Sequence, residues 1–319
     1  MRIGIIKNKL KPASPFKWLQ NKLTADFHLT QNDILVFPTS NYAEGIKATN
    51  TALNEGCDII VAAGGDGTVL SIINALVDSS AKLLIFPQGT SNDIAKSLNI
   101  YSIDDAYAAL KNNKTTACPL LLCHYRDESH NKAKAYAYNM GAGMSAEILA
   151  HERIKAFQTI RKFTGDTVFS ILAFTHVLFT HQANEVVLEI DGQSINNQKL
   201  VTIECCKTKK IGDFHISPYA DIQKQQAPVT LISCISFMQT LKTFYKLMRH
   251  STLLSTPGLE YFGMNNTNSV NLNQKIIFTL DTANIPIHLN GEYLGTSPCS
   301  CELCEKTITV FSNMEQQDA

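Results

Sequence analysis

The sequence lacks net charge of either sign. Its 28 Lys and Arg are matched by 28 Asp and Glu over 319 residues. That excludes the basic surface that displaces counterions from nucleic acid, so no nucleic-acid partner is expected. It also excludes strong electrostatic attachment of the whole chain to anionic lipid, leaving room only for a transient membrane-surface contact. No apolar run is long enough to span a bilayer. The longest, VFSILAFTHVLF (168–179), is short and carries Thr175 and His176. The opening MRIGIIKNKLKPASP has too short an apolar piece for a signal peptide, and Lys7 interrupts it. These absences predict a soluble, cytoplasmic protein. Repeats, low-complexity stretches and long linkers are missing as well.

Cysteine is present but not in a disulfide pattern. The count of nine is odd and no secretory context accompanies it. Cys205, Cys206 and Cys234 read as buried thiols in strands. Cys299, Cys301 and Cys304 are close enough to hold zinc with one further ligand. A spacing of two also puts Cys299 and Cys301 on one face of a strand by simple alternation. We read them that way, and expect no protein metal site.

What is there is enough apolar residue, 45%, for a sizeable core. The length predicts two domains or one large one. The first third alternates strands with helices. Strand candidates are Arg2–Ile6, Asp33–Phe37, Asp58–Ala63 and Lys82–Phe86. Helices follow at 40–56, with Asn41 as cap and Glu44 three residues on, and at Thr68–Val77, Asn92–Leu98 and Ile103–Lys111. This order predicts a parallel sheet wrapped by helices. From about Cys118 strands dominate: Leu120–Tyr125, Lys134–Asn139, Glu185–Ile190, Leu200–Cys205, Val229–Ile235, Lys275–Leu280, Ile285–Leu289 and Thr307–Phe311. Helical spacing interrupts them at Gly165–Phe179 and Ser236–His250. A second, mostly antiparallel domain is expected, with residues 1–125 forming the first and 126–319 the second. The last strand is expected to pack back on the first domain. Residues after Ser312 read as a frayed tail.

The helix around 236–250 places Phe237, Leu241, Phe244 or Tyr245, and Met248 on one stripe. Lys242, Lys246 and Arg249 lie on the other side. The spacing predicts core packing of the stripe with a solvated basic face. A membrane-surface helix is the alternative.

Three short stretches carry the chemistry. The first is Gly64-Gly65-Asp66-Gly67-Thr68, set between a strand and a helix. N–H groups at a helix start carry partial positive charge, and glycine lets a phosphate come close to them. The chain has no GxxxxGK[ST], and Leu70 stands where GxGxxG needs its third glycine, so neither common nucleotide fingerprint applies. The second stretch is Pro87-Gln88-Gly89-Thr90-Ser91-Asn92-Asp93, at the end of the next strand. Successive strand ends of a parallel sheet share one edge, where ligands bind. Thr90, Asn92 and Asp93 also read as helix caps. The third is Asn290-Gly291-Glu292, locally a hairpin turn.

GGDGT, then PxGTxND, then a late (D/N)GE resembles the diacylglycerol kinase catalytic-domain family, which includes sphingosine and bacterial lipid kinases. AKSLNI (95–100), NMGAGMSAEIL (139–149), Arg161–Gly165, LEIDG (188–192) and HISPYAD (215–221) fall in the family's order, so the resemblance runs nearly the whole length. It implies a phosphofructokinase-like α/β domain followed by a β-sandwich, with nucleotide in the cleft between them. It implies an ATP-dependent kinase using Mg²⁺ and a lipid acceptor with a free hydroxyl, and it allows a homodimer. Thr39, Gly64, Gly65, Asp66, Gly67, Thr68, Ser71, Gly89, Thr90 and Asn92 would then surround the nucleotide. Glu292 would be the general base, and Asp93 would complete the polar network.

The chain departs from the family in four places. Leu70-Ser71 replaces an Asn-Glu pair. Asn290 replaces an Asp. Pro218-Tyr219-Ala220 is followed by DIQKQQAP where the family has Asp-Asp-Gly, the stretch around which some members hold a structural Mg²⁺. Of the N-terminal Asn-Pro…Ser-Gly motif only Asn8 survives. Two alternatives therefore stand beside the active kinase: a degenerate binder of nucleotide or lipid, and an NAD kinase.

Overall fold

In the computed structural model of the chain, the described residues are 1–152, 176–177, 179–181, 184–190, 192–233, 237–249, 259–262 and 276–314. They divide into two compact units. One is Met1–Leu120 with Asp221–Gln225 and Cys304–Ala319; the other is Leu121–Ala220 with Gln226–Leu303.

The first unit alternates strands and helices up to β4 and then adds two helices: β1 (Ile3–Asn8), α1 (Ser14–Phe27), β2 (Ile34–Thr39), α2 (Tyr42–Asn54), β3 (Ile59–Gly64), α3 (Asp66–Leu76), β4 (Lys82–Pro87), α4 (Asp93–Ser97) and α5 (Ile103–Lys111). Strands β1 to β4 pair in parallel, in the order β2, β1, β3, β4. Val310, near the end of the chain, lies parallel and opposite Leu83 of β4. Every residue of β3 is buried, as expected of a strand covered on both faces. Parallel pairing brings Asn8, Thr39, Gly64 and Pro87 to one carboxyl edge.

Helix α1 has no counterpart in the periodicity. Only Leu19 and Leu23, one turn apart, are buried on it. Trp18 holds it down, edge-on to Tyr107 at 5.6 Å and stacked near Phe86 at 6.4 Å. The legible signal was Pro15 in the first turn, where a missing N–H is harmless.

The second unit holds β6 (Lys132–Ala137), β7 (Asn139–Gly143), α6 (Met144–Glu152), β8 (Asn184–Ile190), β9 (Gln193–Cys206), β10 (Val229–Ser233), α7 (Phe237–Arg249), β11 (Leu259–Phe262), β12 (Ile276–Leu280) and β13 (Pro286–Leu289). Parts of β5 (Thr115–Asp127) and β14 (Glu292–Phe311) complete it. Its pairs are antiparallel. They run β9 to β7, β13, β14, β12, β8 and back to β9. Strand β9 changes partner along its length: 193–200 pair with β8 and 202–206 with β7. Cys299 and Cys301 are both buried on β14, and Cys304 is partly exposed. The Cys301 thiol hydrogen-bonds the Cys123 and Cys205 thiols, and burial pushes all three pKa values up.

Two expectations change. On α7, Leu241, Tyr245 and Met248 are exposed; the buried residues are Thr243 and Leu247. Leu241, Tyr245 and Met248 of the predicted stripe therefore do not pack into the core, and the side chains of Phe237 and Phe244 lie outside the described residues. Leu247 does pack there, beside Met144, Val201 and Ile232. The tail also begins later than Ser312, because Asn313 donates its N–H to the Leu98 carbonyl and its side-chain amide to the Asp105 carbonyl, both at 3.0 Å. The helix read at Gly165–Phe179, apart from 176–177 and 179, lies outside the described residues, as do Cys234 and 315–319. No helix among the described residues is long and apolar enough to cross a membrane.

Candidate active site

At the carboxyl edge of the first unit the two glycine loops lie against each other. Gly65 has φ −103°, an ordinary backbone conformation, so positive φ is not why glycine stands there. Proximity is. A Cβ on Gly65 would lie 2.9 Å from the Gly89 Cα. In the other direction, a Cβ on Gly89 would lie 2.5 Å from the Gly65 Cα. The Gln88 N–H donates to the Gly64 carbonyl at 2.8 Å, extending the contact. Gly64 is covered by the Thr68 side chain, which a Cβ there would strike.

Asp66 ties the loops together. Its carboxylate accepts from the Asp93 N–H at 3.1 Å and the Ile94 N–H at 3.2 Å. Asp66, on the first loop, is thus the cap of the helix that follows the second. Burial raises the Asp66 pKa, outweighing these two hydrogen bonds, which lower it. Asn92, read as a cap, does something else. It sits at φ 51°, and its amide clamps Gly89, accepting from its N–H at 2.7 Å and donating to its carbonyl at 2.9 Å. Asp93 is buried and Thr90 is exposed on the loop. Gly65 gives α3 no side-chain cap, and Asp66 and Gly67 form its first turn.

Thr39 ends β2 opposite Asn8, buried at the same edge. Ser71 does not belong to this group. Its hydroxyl donates to the Thr68 carbonyl at 2.8 Å, and its side chain fills the space above Gly45 of α2. Ser71 and Leu70 are both buried, so that pair packs helices rather than facing the loops. A cavity of about 530 Å³ lined by Met1, Asp58 and Lys82 opens at the opposite, amino edge of the strands.

The third motif lies in the second unit. Asn290 and Gly291 link β13 to β14 with φ 49° and 76°, the two positive values that the tightest hairpin turn requires. Asn290 is anchored: its Oδ1 accepts from the Tyr138 and Asn139 N–H groups, each at 2.9 Å. An aspartate could accept both bonds equally well. Asn139 is fixed in turn, accepting from Thr208 N–H at 3.1 Å and donating to the Thr208 hydroxyl at 2.7 Å. Glu292 follows the turn as the first residue of β14.

Beneath this turn is a polar group that sequence reasoning missed. His288, fully buried, faces the Glu204 carboxylate through Nε2 at 3.1 Å. Its Nδ1 meets the Gly291 N–H at 3.4 Å, the arrangement of the Nε2–H tautomer. Thr202 donates to Glu204 at 3.0 Å and meets the Ser145 hydroxyl at 2.9 Å. A side chain on Gly141 would strike both Glu204 and His288. The signal was an acid inside the apolar run LVTIECC (200–206).

Asp221–Gln225, standing where the family has its acidic stretch, belongs to the first unit. Gln223 donates to the Thr116 hydroxyl at 2.8 Å and Gln225 to the Cys304 carbonyl at 2.6 Å. Lys224 lies 3.6 Å from Asp221, a cation already beside the remaining carboxylate.

Residues 5–123 match the model of the diacylglycerol kinase catalytic domain. A diacylglycerol kinase of Staphylococcus haemolyticus (strain JCSC1435) is 28% identical over 189 residues, covering 55% of this chain and 53% of that one. The chain thus spans about half the length of that relative. A diacylglycerol kinase of Staphylococcus aureus (strain bovine RF122 / ET3-1) is 21% identical over 279 residues, covering 86% of this chain and 81% of its own. Among solved structures, a diacylglycerol kinase from Bacillus anthracis str. Sterne superimposes with a TM-score of 0.64 at 14% identity, over 98% of this chain and 97% of the other. At that identity the likeness speaks to fold. The domain match covers residues 5–123, and the likeness of fold runs over nearly the whole chain.

Proposed function

We propose that this chain is a lipid kinase that transfers the γ-phosphoryl group of ATP to the free hydroxyl of a lipid such as diacylglycerol. The first unit would be the phosphofructokinase-like nucleotide domain and the second a lipid-binding β-sandwich. The reading rests on the Asp66 clamp, which joins both glycine loops at the one edge where all four strand ends meet. A mere turn needs no carboxylate reaching across to a second loop.

In this reading the N–H groups of Gly65, Asp66 and Gly67, with Thr68, Gly89, Thr90, Asn92 and Thr39, hold the nucleotide, the α3 start facing its phosphates. Glu292 accepts the proton of the lipid hydroxyl as its oxygen bonds to the γ-phosphorus and the bond to ADP breaks. Asp93 orients the polar groups. Asp66 already accepts two N–H groups, so Mg²⁺ would be held chiefly by nucleotide phosphates and water, supplying charge neutralisation.

The test is transfer from labelled ATP with Mg²⁺ to mixed micelles of diacylglycerol, monoacylglycerol, phosphatidylglycerol, ceramide or sphingosine, with NAD as soluble control. A phosphorylated lipid is expected. ATP binding with silence across the panel would support the degenerate binder, which the inward-facing Leu70 and Ser71 favour. Phosphorylated NAD would replace the lipid reading.

A further inference from the structure

Helix α7 (Phe237–Arg249) has two faces with different chemistry. Inward, Thr243 and Leu247 are 2% and 0% exposed. Leu247 lies in the core cluster, and its carbonyl accepts from the His215 N–H at 3.0 Å. The helix is therefore docked, and its orientation is fixed. Outward, Met238, Leu241, Tyr245 and Met248 are 57%, 37%, 54% and 52% exposed. Their spacing of three, four and three residues lines them up along the helix. Immediately beside that line come Lys242, Lys246 and Arg249, and the helix has no Asp or Glu. The Arg249 guanidinium lies 5.1 Å over the Tyr245 ring, so the two kinds of group touch.

Exposed apolar residues scattered singly need no explanation, but a continuous line of four does. The neighbouring cations narrow the choice. Nucleic acid would use the charges and leave the methionines in water. A packed protein partner would bury the apolar line and desolvate the cations beside it. An anionic bilayer takes both: apolar side chains enter the boundary between headgroups and chains while Lys and Arg meet lipid phosphates. The chain as a whole is neutral, so the attraction has to be local.

We propose that the outward face of α7 docks the enzyme on an anionic membrane surface. The purpose of such docking rests on the lipid-kinase reading; its test does not. The full chain is sedimented with phosphatidylcholine vesicles, with and without phosphatidylglycerol, across a salt series. Binding is expected only with phosphatidylglycerol, and it should weaken as salt rises. Leu241→Asp with Tyr245→Asp should reduce it about tenfold or more. Lys242→Glu with Arg249→Glu should abolish the preference for anionic vesicles. All four positions are at least partly exposed, so circular dichroism melts should match wild type.

Vesicle binding that is absent in wild type, or unchanged in both variants, overturns the proposal. So does a wild-type dimer in solution that Tyr245→Asp dissociates, because the face would then cover a second copy. Phosphorylation of a dispersed short-chain diacylglycerol should be the same in every variant. If that reaction is absent in wild type while vesicle binding holds, the kinase reading fails and the docking surface stands.

Discussion

The two units support their candidate chemistry in opposite ways. In the first, the loops meet because side chains are missing: Gly65 and Gly89 touch backbone to backbone. In the second, the turn is held by buried side chains: Asn290, Asn139, His288, Glu204 and Thr202 are all buried. A site made by omission fails when atoms are added. A site made by buried polar groups fails when atoms are removed, because each partner left behind is an unsatisfied group.

The largest effect should come from the residue that this second scaffold presents. Glu292→Gln keeps shape and hydrogen bonding but cannot take a proton. Single-turnover transfer should fall by about 10²–10⁴-fold, the usual contribution of a general base, while ATP affinity measured by calorimetry stays the same. Turnover near wild type would remove Glu292 from the chemistry.

Next comes the support itself. Glu204→Leu leaves the buried His288 Nε2 without its partner, and breaking such a pair should destabilise the second unit by about 3–5 kcal/mol. The double variant Glu204→Leu with His288→Leu should lose less than the sum of the singles, since neither partner is left orphaned. Urea unfolding of the three variants checks this. Strict additivity would mean that the pair is not coupled.

Gly65→Ala tests the other half of the comparison. Its Cβ would meet Gly89 backbone, which cannot swing aside as a side chain can. Overpacking of this kind costs about 1–3 kcal/mol. Thermal stability and ATP affinity should fall together. A fall in affinity alone would return Gly65 to the simpler role of leaving room for a phosphate.

Much of this was legible in the sequence. Alternating apolar runs gave the strand and helix order of the first unit, and Asn290-Gly291 specified its hairpin. The glycine-bearing loops fell at strand ends, where a parallel sheet collects them. Three features were hidden for physical reasons. Helix α1 is pinned by one tryptophan and two leucines, too few for a periodic stripe. The Asp66 cap acts 27 residues away, and capping rules look only three or four residues ahead. On α7 the stripe is truly helical, but periodicity gives a face without saying which way it points. Ser71 was misplaced by the same limit: it follows the loop in sequence and turns inward in space.

The smallest effect tests whether Asp66 is held for its bonds or merely tolerated. Burial raises its pKa above the ordinary 3.8. The folded state then binds this proton more tightly than the unfolded chain does. Stability is therefore favoured while the carboxyl stays protonated, and this contribution is lost as pH rises from about 3.8 through the raised value. Asp66→Asn removes the titration and keeps one acceptor for the α4 N–H groups. The stability difference, wild type minus variant, should shrink as pH climbs through that window and level off above it. A difference that grows with pH would mean that the ionised carboxylate is the form the two N–H groups select. Asp66 would then be a charge-assisted cap, and the first unit would depend on a polar side chain just as the second does.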